Sequence, residues 1–258
     1  MALNPDGSVI FASQGDRLSA AVVSGDTQLF SNGWESLSTF QSLPLSDMLR
    51  RVIHNGLKVI TVPIELALPQ NDRDLNAWNK RISLAVSPDK TVVLANNGDR
   101  LNLFGYDVSR GDVSLESKGS VCLPPFKGAW YSYLSSTDVV AFSADGQYFI
   151  VGNGSNKLVS IWETAPGTLL NRQVVDSFPV SEDAFSVTWN GVRAVAMKDG
   201  VLAVADRGGT LYQFKLEPGK DGFKLLEIAP PSSGAGHNYA CLNTAFLPER
   251  KIEILCRG

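Results

Sequence analysis

An acidic residue returns at a tight corner six times along the chain, each time after an apolar run. The corners are Asn4-Pro5-Asp6-Gly7, Leu45-Ser46-Asp47-Met48, Ser87-Pro88-Asp89-Lys90, Ser143-Ala144-Asp145-Gly146, Met197-Lys198-Asp199-Gly200 and Leu247-Pro248-Glu249-Arg250. Successive acidic positions are 41, 42, 56, 54 and 50 residues apart. A second corner follows each first one: Gly15-Asp16, Asn55-Gly56, Gly98-Asp99, Ser155-Asn156, Gly208-Gly209 and finally Gly258. The gap between the two corners holds one short strand and its turn. Asp, Asn and Gly suit such corners because they accept tight or positive-φ conformations. A chain built this way repeats one supersecondary unit rather than folding around a single layered core.

The runs between the corners are rich in Val, Ile, Phe and Tyr, and several alternate apolar with polar residues. They include "SVIFAS", "MLRRVIH", "TVVLAN", "QYFIVGN", "VLAVAD" and "KIEILC" before the second corner, then "RLSAAVVS", "LKVITVPIEL", "RLNLFGYDV", "KLVSIWET" and "TLYQFKLE" after it. This is strand patterning; helical periodicity is weak even at residues 45–54. The repeat length matches four-stranded propeller blades, at roughly 40–50 residues each. The expected fold is therefore all-β: one β-propeller domain over residues 1–258 with four-stranded antiparallel blades. Full units are expected near 36–75, 81–120, 137–178 and 184–229. N-terminal strands near 8–14 and 17–24 and C-terminal strands near 239–247 and 250–256 are expected to share a composite closing blade, giving five blades. Six blades is the alternative, with "TQLF" at residues 27–30 as a further strand.

The stretches "LAVSPDKTVVLANNGDRLNLFGYDVSRGDV" (84–113) and "VVAFSADGQYFIVGNGSNKLVSIWETAPGTLL" (139–170) resemble the WD-repeat and YVTN-type β-propeller families. The resemblance is weaker at "LNPDGSVIFASQGDRLSAAVV" and "RAVAMKDGVLAVADRGGTLYQFKL". It lies in the repeat grammar. The Gly-His of WD repeats is absent and Trp162 is followed by Glu163 rather than Asp, so that family's Asp-His-Ser/Thr-Trp network does not carry over.

Composition narrows the function classes. The formal net charge is −3, with no basic run of the kind that displaces counterions from nucleic acid. No apolar stretch reaches the length of a membrane-spanning helix. "MALNPDGSVIF" lacks the basic and apolar regions of a signal peptide. Three cysteines cannot build a disulfide framework, which makes a reducing compartment the expectation; the expected location is the cytoplasm or an assembled particle. Cys241 and Cys256 flank the Pro248-Glu249 turn symmetrically and are expected opposite each other in a hairpin, as two buried thiols or as a disulfide.

Catalytic signals are thin. The two histidines, His54 and His237, sit beside a turn and in the loop "PPSSGAGHNYA". Ser232, Ser233 and His237 lack a nucleophile elbow. "VGNGSNK" (151–157) runs from strand to strand, without the helix N-terminus that binds phosphate. The recurring acidic corners read as turn chemistry. No residue is assigned as catalytic or metal-ligating, and no cofactor is expected.

Two insertions lengthen the repeat, at 67–81 and 122–138. They carry Trp78 in the first, and Phe126, Lys127, Trp130, Tyr131 and Tyr133 in the second. Long loops on a rigid scaffold are where binding concentrates, and aromatics anchor interfaces. These residues are the expected binding set; capping the end of a sheet is the bland alternative. The expected function is a non-catalytic module contacting other protein subunits of a larger assembly, such as a virion or tail component. The alternatives are a lactonase-type hydrolase with a metal in the central channel and a carbohydrate-binding propeller. The uneven spacing of Trp34, Trp78, Trp130, Trp162 and Trp189 argues against repeated sugar pockets.

Overall fold

The structure is a computed structural model that describes residues 2–4, 8–14, 17–22, 59–63, 82–96, 100–110, 112–128, 137–184, 191–219, 222–233, 240–246 and 252–257. Every regular element among them is a strand. β1 (Ala2–Leu3), β2 (Val9–Gln14), β3 (Arg17–Val22) and β4 (Val59–Pro63) form the first antiparallel sheet. The second holds β5 (Ile82–Val86), β6 (Thr91–Asn96), β7 (Arg100–Ser109) and β8 (Asp112–Cys122). The third holds β9 (Thr137–Phe142), β10 (Tyr148–Asn153), β11 (Leu158–Ala165) and β12 (Thr168–Pro179). The fourth holds β13 (Val192–Lys198), β14 (Val201–Asp206), β15 (Thr210–Gly219) and β16 (Gly222–Ser233). β17 (Ala240–Phe246) and β18 (Ile252–Arg257) pair with each other.

The sheets stand side by side through their first strands: β1 lies near β5, β5 near β9, β9 near β13, and β13 near β17. The apolar faces meet between neighbouring sheets. Val9, Phe11, Leu18, Val92, Phe104 and Tyr106 fill the space between the first and second. Val93, Leu101, Phe149 and Leu158 fill the next, and Ile150, Ile161, Leu202 and Phe214 the one after. Burying each such side chain fully is worth about 1.5–3 kcal/mol. The core is thus distributed over the seams, as stacking of repeats requires.

The corner chemistry explains the hairpins. In the first three sheets a buried polar residue caps the turn after the first strand. Val9 N–H donates to Asn4 Oδ1 at 2.8 Å, Thr91 N–H to Ser87 Oγ at 3.0 Å, and Tyr148 N–H to Ser143 Oγ at 2.9 Å. Ser87 and Ser143 donate in turn to Asp89 and Asp145, so these carboxylates act as turn ligands. Gly146 adopts φ 72°, in the left-handed region glycine tolerates. Neighbouring corners are stitched together: Ala144 N–H donates to Met197 O at 2.9 Å.

Two expectations are corrected. The N-terminal strands do not join the C-terminal pair. Ala2–Leu3 supplies a first strand on one side and Val59–Pro63 a fourth on the other, while β17 and β18 make a separate two-stranded sheet beside β13. The cap at Asn4 makes β1 and β2 a local hairpin, which closes at far lower entropic cost than joining the two ends of the chain. The unit expected at 36–75 also changes. Its one described strand, β4, completes the first sheet; its corners at Asp47 and Asn55, and "TQLF", lie outside the described residues. The units expected at 81–120, 137–178 and 184–229 correspond to the second, third and fourth sheets. Cys241 and Cys256 are register partners, as the turn symmetry predicts.

Candidate functional site

The connection leaving β8 is rooted on the third sheet. Leu123 and Phe126 are buried, while Pro124, Pro125, Lys127 and Gly128 are exposed. Phe126 is 7% exposed and packs in the cluster with Phe149, Leu158 and Leu169. The receiving surface is a bulge in β12. Val159 pairs with Phe178 but Ile161 pairs with Val175, so Asp176 and Ser177 together face Ser160. Ser177 sits at φ 46° and its N–H donates to Ser160 Oγ at 3.0 Å. The bulge turns both side chains toward the loop. Lys127 N–H donates to Ser177 Oγ at 2.7 Å, and the Lys127 ammonium pairs with Asp176. Burial works against the Asp176 carboxylate, but hydrogen bonds from Lys127 and Ser177 outweigh it and hold the group below its ordinary pKa.

Phe126 and Lys127 are therefore brought together, one as a packing anchor and one as a polar clip. Trp130, Tyr131, Tyr133 and Trp78 lie outside the described residues, as do His54 and His237. Among the described residues no group of three or more His, Cys, Asp or Glu is placed to share a metal ion. No helix among them is long and apolar enough to cross a membrane.

A second polar centre was not anticipated from the sequence. Lys157, at the turn between β10 and β11, extends across the seam into the fourth sheet. Its Nζ lies 3.1 Å from Asp206 Oδ2, 3.1 Å from both Asp183 oxygens and 3.2 Å from Tyr212 Oη. Tyr212 O–H donates to Asp206 Oδ2 at 3.1 Å, and Thr210 N–H donates to Asp206 Oδ1 at 2.8 Å. Side-chain exposure is 8% for Lys157 and 2% for Asp206 but 50% for Asp183. Burial disfavours the lysine charge, yet bonds from Tyr212, Asp183 and Asp206 reverse that and raise its pKa. Burial and the Asp206 charge raise the Tyr212 phenol. A lysine held as ammonium by two carboxylates is not a nucleophile. Chemically the cluster is a lock between two sheets.

The backbone closes in at the same seam. A Cβ on Gly191 would fall 2.1 Å from the carbonyl carbon and oxygen of Gly154, so only glycine permits this approach. Arg207 N–H donates to Gly191 O at 3.0 Å, tying the β14–β15 turn to the entry of β13. The signal for this centre was present in the repeat. Asn153 and Asp206 end equivalent strands, and Lys157 and Thr210 each follow four residues later. A lysine in one copy and a carboxylate in the next is a complementary pair if the copies are neighbours.

No protein-family model matches the chain, and no curated protein matches it by sequence. Among solved structures, a protein from Lactobacillus plantarum determined as a structural genomics target aligns with a TM-score of 0.61 and 16% identity. The alignment covers 96% of this chain and 60% of that one, so the chain spans under two thirds of its neighbour's length. The computationally designed Ika4 protein aligns at a TM-score of 0.37 and 14% identity, over 69% of this chain and 92% of that one. The fold is β-propeller-like. The first likeness and the side-by-side four-stranded sheets both carry that statement, which concerns architecture alone.

Proposed function

We propose that the chain is a non-catalytic, β-propeller-like interaction module serving a larger protein assembly. It presents the segment that follows Gly128 to a protein partner, with Trp130, Tyr131 and Tyr133, and Trp78 from the preceding connection, as contact residues. The observation that supports this reading is the double fixation of the segment's root: Phe126 buried in the core, and Lys127 clipped to the Asp176–Ser177 bulge of the neighbouring sheet. A root held on two sides lowers the ordering cost that a contact loop would otherwise impose on binding.

A photo-crosslinking amino acid placed at position 130 tests the reading. A discrete protein adduct in the native source, absent when the same group replaces the exposed Lys224, is the expected result. Metal-dependent hydrolysis of an ester or lactone by the purified chain, without any adduct at position 130, would overturn it.

A further inference from the structure

Lys157 is held by two different kinds of partner. Asp206 and Tyr212 belong to the fourth sheet and are buried, at 1% and 6% residue exposure. Asp183 belongs to the short turn after β12, and half of its side chain faces solvent. The backbone bonds divide along the same line. The turn is bonded to Lys157 and within itself: Val180 N–H donates to Lys157 O at 3.0 Å, Lys157 N–H to Ala184 O at 3.4 Å, and Ala184 N–H to Ser181 O at 3.1 Å. The seam is bonded separately, through Val192 N–H to Asn156 O at 3.4 Å, Arg207 N–H to Gly191 O at 3.0 Å, and Thr210 N–H to the Asp206 carboxylate at 2.8 Å.

From this division we propose that the cluster is a two-stage latch, in which Lys157, Asp206 and Tyr212 form a fixed anchor across the seam while Asp183 is a detachable arm, so that the Val180–Ala184 turn opens ahead of the sheets it overlies. Detaching the Asp183 carboxylate costs little because water takes it over at once, so that opening the turn costs chiefly the exposure of the buried Val180 and Ala184, whereas Lys157 keeps two buried partners. Detaching the anchor would strand a buried charge, which is far more costly. Local opening at free energies below that of global unfolding is the form such a difference takes. Only Glu182 and Asp183 of the turn are exposed, and its opening exposes the Lys157 ammonium without separating the sheets.

Native-state amide hydrogen exchange reads the two stages separately. The turn set is Lys157, Val180 and Ala184; the seam set is Val192, Arg207 and Thr210. Asp183→Ala is expected to speed exchange of the turn set by roughly three- to tenfold, and that of the seam set by no more than this, since every larger opening also detaches the arm. Asp206 keeps its contacts while the turn is open, so Asp206→Asn is expected to speed exchange of the seam set and to leave the turn set unchanged; Tyr212→Phe, which removes one anchoring hydroxyl, replaces it if that variant does not fold. Acceleration of the turn set by Asp206→Asn as large as that of the seam set, or no acceleration of the turn set in Asp183→Ala, would overturn the latch.

Discussion

Lys157 and Asp206 form an ion pair at 3.1 Å between consecutive sheets, and almost none of either side chain reaches solvent. Tyr212, which both residues touch, belongs to the apolar cluster that fills the seam between the third and fourth sheets. The position of the pair, rather than its Coulomb energy, makes it informative. A buried ion pair gains little over a well-packed apolar pair, but losing one member leaves the other uncompensated.

Lys157→Met should therefore destabilise by about 3–5 kcal/mol, lowering the melting temperature by roughly 10 °C. Lys157→Met combined with Asp206→Leu should recover much of that loss. Calorimetry of the two single variants and the double variant checks this. Additive losses would show that the two residues act independently.

Asp183 sets an acid dependence. A hydrogen bond from Ser181 and, against the opposing effect of burial, the contact with Lys157 hold its carboxyl below the ordinary carboxylate range. A group depressed in the folded state contributes stability that is complete above its unfolded pKa and disappears as pH falls through its folded value. The urea midpoint of Asp183→Asn should thus fall below that of the parent at neutral pH, and the two should converge on acidification below about pH 4. A gap that persists in strong acid would contradict the assignment.

Phe126→Ala and Lys127→Ala separate anchor from clip at the loop root. The first removes a buried ring from the cluster around Phe149 and Leu158 and should cost about 3–5 kcal/mol. The second leaves the backbone bond to Ser177 in place and loses an exposed ion pair, worth at most about 1 kcal/mol. Thermal melts of both variants measure the difference; similar melting temperatures would mean that Phe126 is not the anchor.

Gly191→Ala meets backbone at 2.1 Å and should either prevent folding or lower the melting temperature far more than Gly167→Ala. The second site has φ 75° and open space around it, so its substitution carries only the left-handed backbone strain of about 1–2 kcal/mol. Side-by-side melts of the two variants report the cost of separating Gly191 from Gly154.

Much of the architecture was legible because the corners are chemical necessities. Ser87-Pro88-Asp89-Lys90 and Ser143-Ala144-Asp145-Gly146 announce hairpins through side chains that bind their own turn, and the strands on either side follow. The first sheet was misread for a related reason. Ala2–Leu3 is too short to show alternation, yet the Asn4 cap makes it a strand, and Val59–Pro63 looks the same in sequence whether it ends one sheet or sits within another. Phe126 and Lys127 were singled out for their company of aromatics; the partner that positions Lys127 is a bulge at Asp176–Ser177, and no residue pattern announces where a register slips. Lys157 was passed over because a lysine beside a Gly/Asn turn has the appearance of a solvated one. Its partners are 26, 49 and 55 residues away, and only the neighbourhood of successive sheets brings them within reach.

The lysine-to-carboxylate match between Lys157 and Asp206 also makes the repeats non-interchangeable. Copying residues 137–184 twice in tandem would set the lysine of one copy against the asparagine that ends the equivalent strand of the next, and the order of the modules is thereby written into a single pair of charges.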